Sequence, residues 1–141
     1  MSMQTVWIVI VLASLALPHP GNAQARRIGK NDFEKFCTEC HGMSGKGDGP
    51  RAKTLEKRPA DLTKLAERNG GVFPVVHVYG VIDGRVEVWV HGSRDMPVWG
   101  DIYTREMQAR MPREIPPDVI NGLVRARILE MIEYLLTLQE K

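Results

Sequence analysis

Cysteine is scarce in this sequence: the 141 residues contain only two, Cys37 and Cys40. A zinc site built from four cysteines needs a second pair, so this count excludes that class of site. Basic residues form no dense run and no nucleic-acid-binding signature is present, so we expect no nucleic-acid partner. The formal net charge is only +2. A mild excess of basic residues over 42–68 indicates either a solvated face or a docking surface.

Charged side chains are missing from the first 25 residues. An apolar run over 6–17, too short to span a bilayer comfortably, is followed by the helix-breaking Pro20 and Gly21 and then by small residues. This order predicts a signal peptide over 1–25 and a single mature domain over 26–141. The alternative is an uncleaved membrane anchor. Export would place the mature protein in the periplasm.

The two cysteines lie in the pentapeptide Cys37-Thr38-Glu39-Cys40-His41. Residues three and four apart share a helix face, so both thiols can reach one edge of a porphyrin while the histidine lies beneath the ring. This spacing is the haem-attachment signal. A thioredoxin-like pair would need a strand before it and a long helix after it, and a simple disulfide would leave the histidine unexplained. The pattern predicts one haem c bound through Cys37 and Cys40, with His41 as an iron ligand.

Helical periodicity is present on both sides of the attachment motif. We expect a first helix to start between Ile28 and Asn31 and to run to about His41. The stretch 124–138 has apolar residues at helical spacing without Gly or Pro, which predicts the last helix of the chain.

The intervening stretches are predicted with less regular structure. The stretch 58–66 is predicted to turn into a short helix, and 73–82 to form another, although its Val and Ile content leaves a strand possible. The polar, proline-rich stretch 101–122 is predicted to be a long loop. Met107 and Met111 fall in that loop and are not favoured as iron ligands.

Taken together, these features resemble the bacterial class I c-type cytochromes, which carry one haem with His/Met ligation, from about residue 28 to the end of the chain. The resemblance implies an all-α fold of four or five short helices around one covalently bound haem. It also implies that the first and last helices cross at Gly29, with Phe33 and Tyr134 packed beside the crossing. The segment HGMSGKGDGP after the attachment motif looks like the CHGxxGxGDGP pattern of the family. By that resemblance the carbonyl of Pro50 accepts a hydrogen bond from the His41 ring, although Pro50 fits an ordinary loop proline as well.

The second iron ligand is predicted from the segment HGSRDMPVWG, which resembles the HGxxxMPxWG ligand loop of these cytochromes. The resemblance implies that Met96 binds iron opposite His41, and a thioether ligand favours ferrous iron. His91 or His77 as the ligand, or an open site, are the alternatives. Trp89 and Trp99 are predicted either to line the haem pocket or to belong to the core.

The predicted function is one-electron transfer. A saturated His/Met iron leaves no open site, so we expect no enzymatic activity and no catalytic residues. The expected partners are redox proteins, either a membrane respiratory complex or a periplasmic dehydrogenase, and a monomer is expected. The alternatives are a haem-bearing electron-transfer subunit of a dehydrogenase or oxidase complex, or a haem-based sensor with a weak sixth ligand. A di-haem peroxidase is excluded, because it needs a second CxxCH motif.

Overall fold

The chain folds into helices and loops in a computed structural model that describes residues 20–85 and 96–140. The α-helices of this part are α1 (Pro20–Phe36), α2 (Thr38–His41), α3 (Leu65–Arg68), α4 (Val75–Asp83), α5 (Trp99–Arg110) and α6 (Pro117–Thr137), with 3-10 helices at Pro50–Thr54 and Leu62–Lys64. The described residues contain no β-strand, which confirms the all-α class. Six α-helices exceed the expected four or five because α2 and α3 are single turns of four residues. Within these ranges, every helix is too short or too polar to cross a bilayer.

Helix α1 begins earlier than the sequence predicts. The described part of the chain is already helical at Pro20 and Gly21, so the expectation that these residues interrupt a helix is not met from residue 20 onward. The end of the predicted leader, over 20–25, therefore belongs to α1, whereas residues 1–19 lie outside the described part of the chain.

The first and last long helices cross closely at Gly29. A Cβ at this position would collide with the backbone carbonyl of Glu130 and would lie 3.0 Å from the Cα of Met131. Beside the crossing, the rings of Phe33 and Tyr134 have centroids 5.3 Å apart, and Phe33 is fully buried. The expected crossing and its aromatic partners are confirmed.

Helix α6 supplies most of the core. Its buried residues recur at helical spacing and face α1, α4 and α5; they are Ile120, Val124, Ile128, Met131, Ile132 and Leu135. The predicted last helix over 124–138 is confirmed and extended, because α6 starts at Pro117. Proline is tolerated in this first turn because its missing N–H has no intrahelical partner there.

The stretch 101–122 is not the loop that its prolines suggested. Helix α5 covers most of its first half, so Met107 is helical rather than in a loop. Strong helix formers fill the C-terminal half of α5, and the buried ring of Tyr103 anchors the helix to the core. Proline-containing residues 111–116 form only the short connection to α6.

Helix α4 confirms the helical prediction for 73–82, and the strand alternative is wrong. Gly84, at φ 68°, ends the helix in the left-handed conformation. The buried carboxylate of Asp83 pairs with Arg85, with their closest N and O atoms 2.8 Å apart, and Arg85 also donates to Asn121 of α6 at 3.0 Å. This contact fixes the end of α4 against the last helix.

The short helix predicted over 58–66 is confirmed as the 3-10 turn Leu62–Lys64 running into α3. Asp61 caps it by accepting the backbone N–H of Thr63 at 2.9 Å. The side chain of Gln139 ties this region to the C-terminus, since its Nε2 donates to the Leu62 carbonyl at 2.8 Å and its Oε1 accepts from the N–H of Ala66 at 3.0 Å.

Candidate functional site

The three predicted attachment residues lie on one turn at the end of α1. The carbonyl of Cys37 accepts backbone N–H groups from Cys40 at 3.2 Å and from His41 at 2.8 Å. The N–H of Cys37 in turn donates to the carbonyl of Phe33 at 2.9 Å, so the turn continues directly from α1. The structure therefore brings Cys37, Cys40 and His41 together as the sequence predicts.

The glycine-rich segment folds back under this turn. The N–H of Gly47 donates to the His41 carbonyl at 2.8 Å, and the N–H of Gly49 donates to the Cys40 carbonyl at 3.1 Å. Gly47 has φ 72°, and a Cβ there would collide with the carbonyl oxygen of Pro59. Both its conformation and its close approach to Pro59 require glycine, which confirms the expected tight turn.

The imidazole of His41 is oriented by a backbone carbonyl. Its Nδ1 lies 3.0 Å from the carbonyl oxygen of Ala60. The expectation that Pro50 provides this carbonyl is not met: Pro50 starts the first 3-10 helix, and the contact of Gly47 with Pro59 brings Ala60 to the ring instead. Because a carbonyl can only accept, Nδ1 carries the proton and Nε2 keeps its lone pair.

The protonation state of His41 suits a metal ligand. Burial lowers the pKa of His41 below its ordinary value, and the hydrogen bond to Ala60 opposes this only in part. The ring is therefore neutral at pH 7, which is the form that binds iron. Its bond to the carbonyl is the kind of outer contact that fixes a ligating imidazole and increases its donor strength.

The environment of Cys37 does not fit a redox-active thiol. Burial, followed by the nearby Asp32 and Cys40, raises the pKa of Cys37 to about 12. A reactive cysteine of the thioredoxin type needs a depressed pKa and a long helix behind it. Here α2 ends after one turn at Gly42, and the two cysteines are not joined by a disulfide. The raised pKa of Cys37 and the short helix after it disfavour the thioredoxin-like interpretation.

Met96, the predicted second ligand, lies just before α5 and packs, partly buried, against the core. Trp99, three residues after Met96, is the first residue of α5. Its ring centroid lies 5.3 Å from that of Phe36, the residue before Cys37. The contacts of Phe36 with Trp99 and with Tyr103 thus connect α5, which follows Met96, to the attachment turn. Among the alternative ligands, His77 is exposed on α4, and His91 lies outside the described residues, as does Trp89.

Two residues that position the site were not anticipated. Ala60 contributes only its carbonyl, a group that every residue has, so no side-chain pattern could identify it. Gly47 was recognised as part of a turning segment, but its contact with Pro59 depends on a loop packing that sequence spacing does not reveal.

No protein-family model, curated protein or solved structure matches this chain. The interpretation of the site therefore rests on its own geometry and chemistry.

The donor set fits a haem better than a bare metal ion. Within the described ranges, no group of three or more His, Cys, Asp or Glu side chains is placed to bind a metal. The attachment turn offers one neutral imidazole with a free Nε2, and two thiols three residues apart. Thioether formation would leave neither sulfur charged, which suits the partly buried position of both cysteines.

Proposed function

We propose that this chain is a class I c-type cytochrome that carries single electrons. In this proposal Cys37 and Cys40 would hold one haem covalently, and His41 and Met96 would be its iron ligands. The observation that carries the proposal is the attachment turn, in which both thiols accompany a neutral imidazole whose Nδ1 is held by Ala60 and whose Nε2 is available. Neither a disulfide nor a reactive thiol pair accounts for that histidine.

The helix arrangement supports the same proposal. The attachment turn follows α1 directly, and α1 crosses α6 at Gly29 with Phe33 and Tyr134 beside the contact. These are the packing features that the resemblance to class I cytochromes implies, and they connect residues that are distant in sequence. A cytochrome c fold around one haem is the arrangement we infer from them.

Different residues of the chain would hold the haem and set its reduction potential. A bound haem supplies a one-electron redox centre. The Ala60 carbonyl increases the donor strength of His41 and so favours the ferric state, whereas the Met96 thioether favours the ferrous state. The reduction potential depends on the balance of these two ligands. Saturated ligation leaves no position for a substrate, so we propose a carrier and assign no catalytic residue.

The remaining parts of the proposal concern the cellular setting. The uncharged, apolar segment over 6–17 supports export to the periplasm. A carrier there exchanges electrons with redox proteins, either a membrane complex or a periplasmic dehydrogenase. We propose that it does so as a monomer.

Substitution of Met96 tests the ligand assignment. Ferric wild-type protein should be low-spin with the weak sulfur-to-iron band, and its ferrous form should bind carbon monoxide poorly. In Met96→Ala the band should disappear, carbon monoxide should bind and the potential should fall, because the soft donor is lost. Haem should stay attached, since Cys37 and Cys40 are unchanged.

Met107→Ala is the matched control for Met96→Ala. Met107 is also a partly buried methionine packed against the core, so its removal should affect stability without changing the spectrum. A high-spin wild-type protein that binds carbon monoxide readily would contradict the carrier proposal. A Met96→Ala spectrum identical to wild type would contradict the choice of ligand.

A further inference from the structure

A buried ion-pair cluster joins three helices behind the attachment turn. Arg127 of α6 donates to both carboxylate oxygens of Asp32 in α1, with N···O distances of 2.5 and 2.9 Å. Its remaining terminal nitrogen donates to Glu106 of α5 at 2.6 Å. The side chains of Arg127, Asp32 and Glu106 are only 13%, 12% and 20% exposed. We call these three residues the arginine cluster.

Aromatic rings cover the arginine cluster on the side of the attachment turn. The guanidinium carbon of Arg127 lies 4.1 Å from the ring centroid of Tyr103 and 5.7 Å from that of Phe36. Both rings also pack against Trp99, with centroid distances of 5.9 and 5.3 Å. Planar guanidinium groups stack well on aromatic faces, so the cation and the rings stabilise one arrangement.

The arginine cluster links the two parts of the chain that hold the proposed iron ligands. Asp32 and Phe36 precede Cys37 on α1, whereas Trp99 and Glu106 belong to α5, which begins just after Met96. We propose that Arg127 is a positioning residue that holds α5, and with it Met96, at a fixed distance from the attachment turn. This inference rests on the function proposed above.

The chemistry of the cluster explains why arginine is needed. The planar guanidinium group of Arg127 donates two hydrogen bonds to Asp32 and a third to Glu106. The ammonium group of a lysine cannot make these three bonds in the same geometry. Without the cation, the mostly buried carboxylates of Asp32 and Glu106 would lose their shared partner, and their repulsion would favour separation of α1 and α5. Arg110 pairs with the other oxygen of Glu106 at 2.7 Å, but from an exposed position that offers weaker compensation.

A methionine–iron bond is sensitive to such a separation. Thioether ligation is weak compared with imidazole ligation, so a small displacement of α5 is enough to release Met96 from the iron. The His41 side should be unaffected, because Ala60 and the glycine-rich segment hold it independently of α5. The cluster is therefore expected to control the sixth ligand selectively.

The test is the spectrum and carbon monoxide affinity of the holoprotein carrying Arg127→Gln. We expect the sulfur-to-iron band to be lost from most molecules and ferrous affinity for carbon monoxide to rise about tenfold or more. Arg125→Gln removes an exposed cation two residues away on α6 and should keep both properties. Ile128→Val weakens the α6 core without touching the cluster, so it should lower the unfolding midpoint and still keep the band.

Glu106→Gln is a milder variant that still tests the inference if Arg127→Gln does not fold. Glu106→Gln leaves the Asp32 pair intact and should weaken the band in part and raise carbon monoxide affinity by a smaller factor. A band and an affinity within about twofold of wild type in either folded variant would overturn the inference. A wild-type protein that lacks the band would instead contradict the proposed function, so the two failures are distinguishable.

Discussion

At the scale of single residues, the orientation of His41 depends on two backbone contacts. Its Nδ1 donates to Ala60, nineteen residues further along the chain, and Ala60 is held in place because Gly47 packs against the preceding Pro59. The sequence identifies His41 as a ligand from its position in the pentapeptide. It does not identify Ala60, because a carbonyl acceptor leaves no side-chain signature and Pro50 offered an equally suitable group.

Gly47→Ala is expected to disturb the His41 bond. The new Cβ would collide with the Pro59 carbonyl, and displacement of Ala60 would weaken the hydrogen bond to Nδ1. A weaker donor imidazole favours ferrous iron, so the reduction potential should rise, which protein-film or solution voltammetry measures. Overpacking should also lower the free energy of unfolding by about 1–3 kcal/mol.

Gly70→Ala separates this effect from backbone strain. Gly70 has φ 66°, close to the 72° of Gly47, but nothing lies within 4 Å of its Cβ position. This control should lose about 1–2 kcal/mol of stability through the left-handed conformation alone and keep the wild-type potential. Equal shifts of the potential in the two variants would contradict the role of Gly47.

Glu106 should make stability depend on pH in a defined direction. Its hydrogen bond to Arg127 lowers the pKa of Glu106 below the usual glutamate value. The folded state therefore holds this proton less tightly than the unfolded state, so the stabilisation is complete above the unfolded pKa and is lost as pH falls through the folded one. In Glu106→Gln, chemical unfolding measured at several pH values should show a weaker loss of stability toward acid.

Glu130→Gln provides a comparison of opposite sign. Burial raises the pKa of Glu130, so its ionisation opposes folding as pH rises through that raised value. Replacement by the neutral amide should therefore increase stability at pH 7. A Glu106→Gln variant that becomes more stable at pH 7, as Glu130→Gln should, would show that the Arg127 contact is not favourable.

At the scale of helices, the crossing of α1 and α6 determines where the attachment turn sits. Gly29 allows the two backbones to touch, and α1 then leads directly into Cys37. The crossing was expected because the resemblance to class I cytochromes implies it, with Gly29 and Phe33 eight and four residues before Cys37 and Tyr134 on the last helix. Helix α6 was predictable from its uninterrupted apolar spacing.

The early start of α6 and the whole of α5 were not predicted, for two different physical reasons. Pro117 lies in the first turn of α6, where a proline starts a helix instead of breaking it. Helix α5 has few apolar residues, and its stability comes from Tyr103 and from the contacts of Glu106 and Arg127 with other helices. Such tertiary contacts are invisible to local periodicity. For this reason the stretch 101–122 was expected to be a loop, whereas α5 connects Met96 to the core.

Gly29→Ala should be among the most damaging small substitutions in the chain. The added methyl group would collide with the Glu130 carbonyl and force the two helices apart. The free energy of unfolding, measured with denaturant, should fall by at least about 1–3 kcal/mol. Gly122→Ala in α6 is the matched helical control, because nothing lies within 4 Å of its Cβ position. That variant should gain up to about 1 kcal/mol from the higher helix propensity of alanine. Similar stability losses in both variants would contradict the close crossing.

At the scale of the whole molecule, four helices of the described residues contribute to one core, and Cys37 of the attachment turn packs against it. The aromatic cluster of Phe36, Trp99 and Tyr103 connects that turn to the start of α5. The all-α class followed from the sequence, as did the attachment turn. The arginine cluster did not, because it joins residues from three helices that are up to 95 positions apart.

The central claim is that the chain carries covalently bound haem, and the mass of the exported protein tests it most directly. After acid–acetone extraction and denaturation, the polypeptide should retain one haem, and its mass should correspond to a chain starting at Gln24 or Arg26 plus that haem. Neither Cys37 nor Cys40 should react with an alkylating reagent, and a variant with both replaced by alanine should release its haem. A haem-free polypeptide of apoprotein mass with two alkylated cysteines would contradict the account.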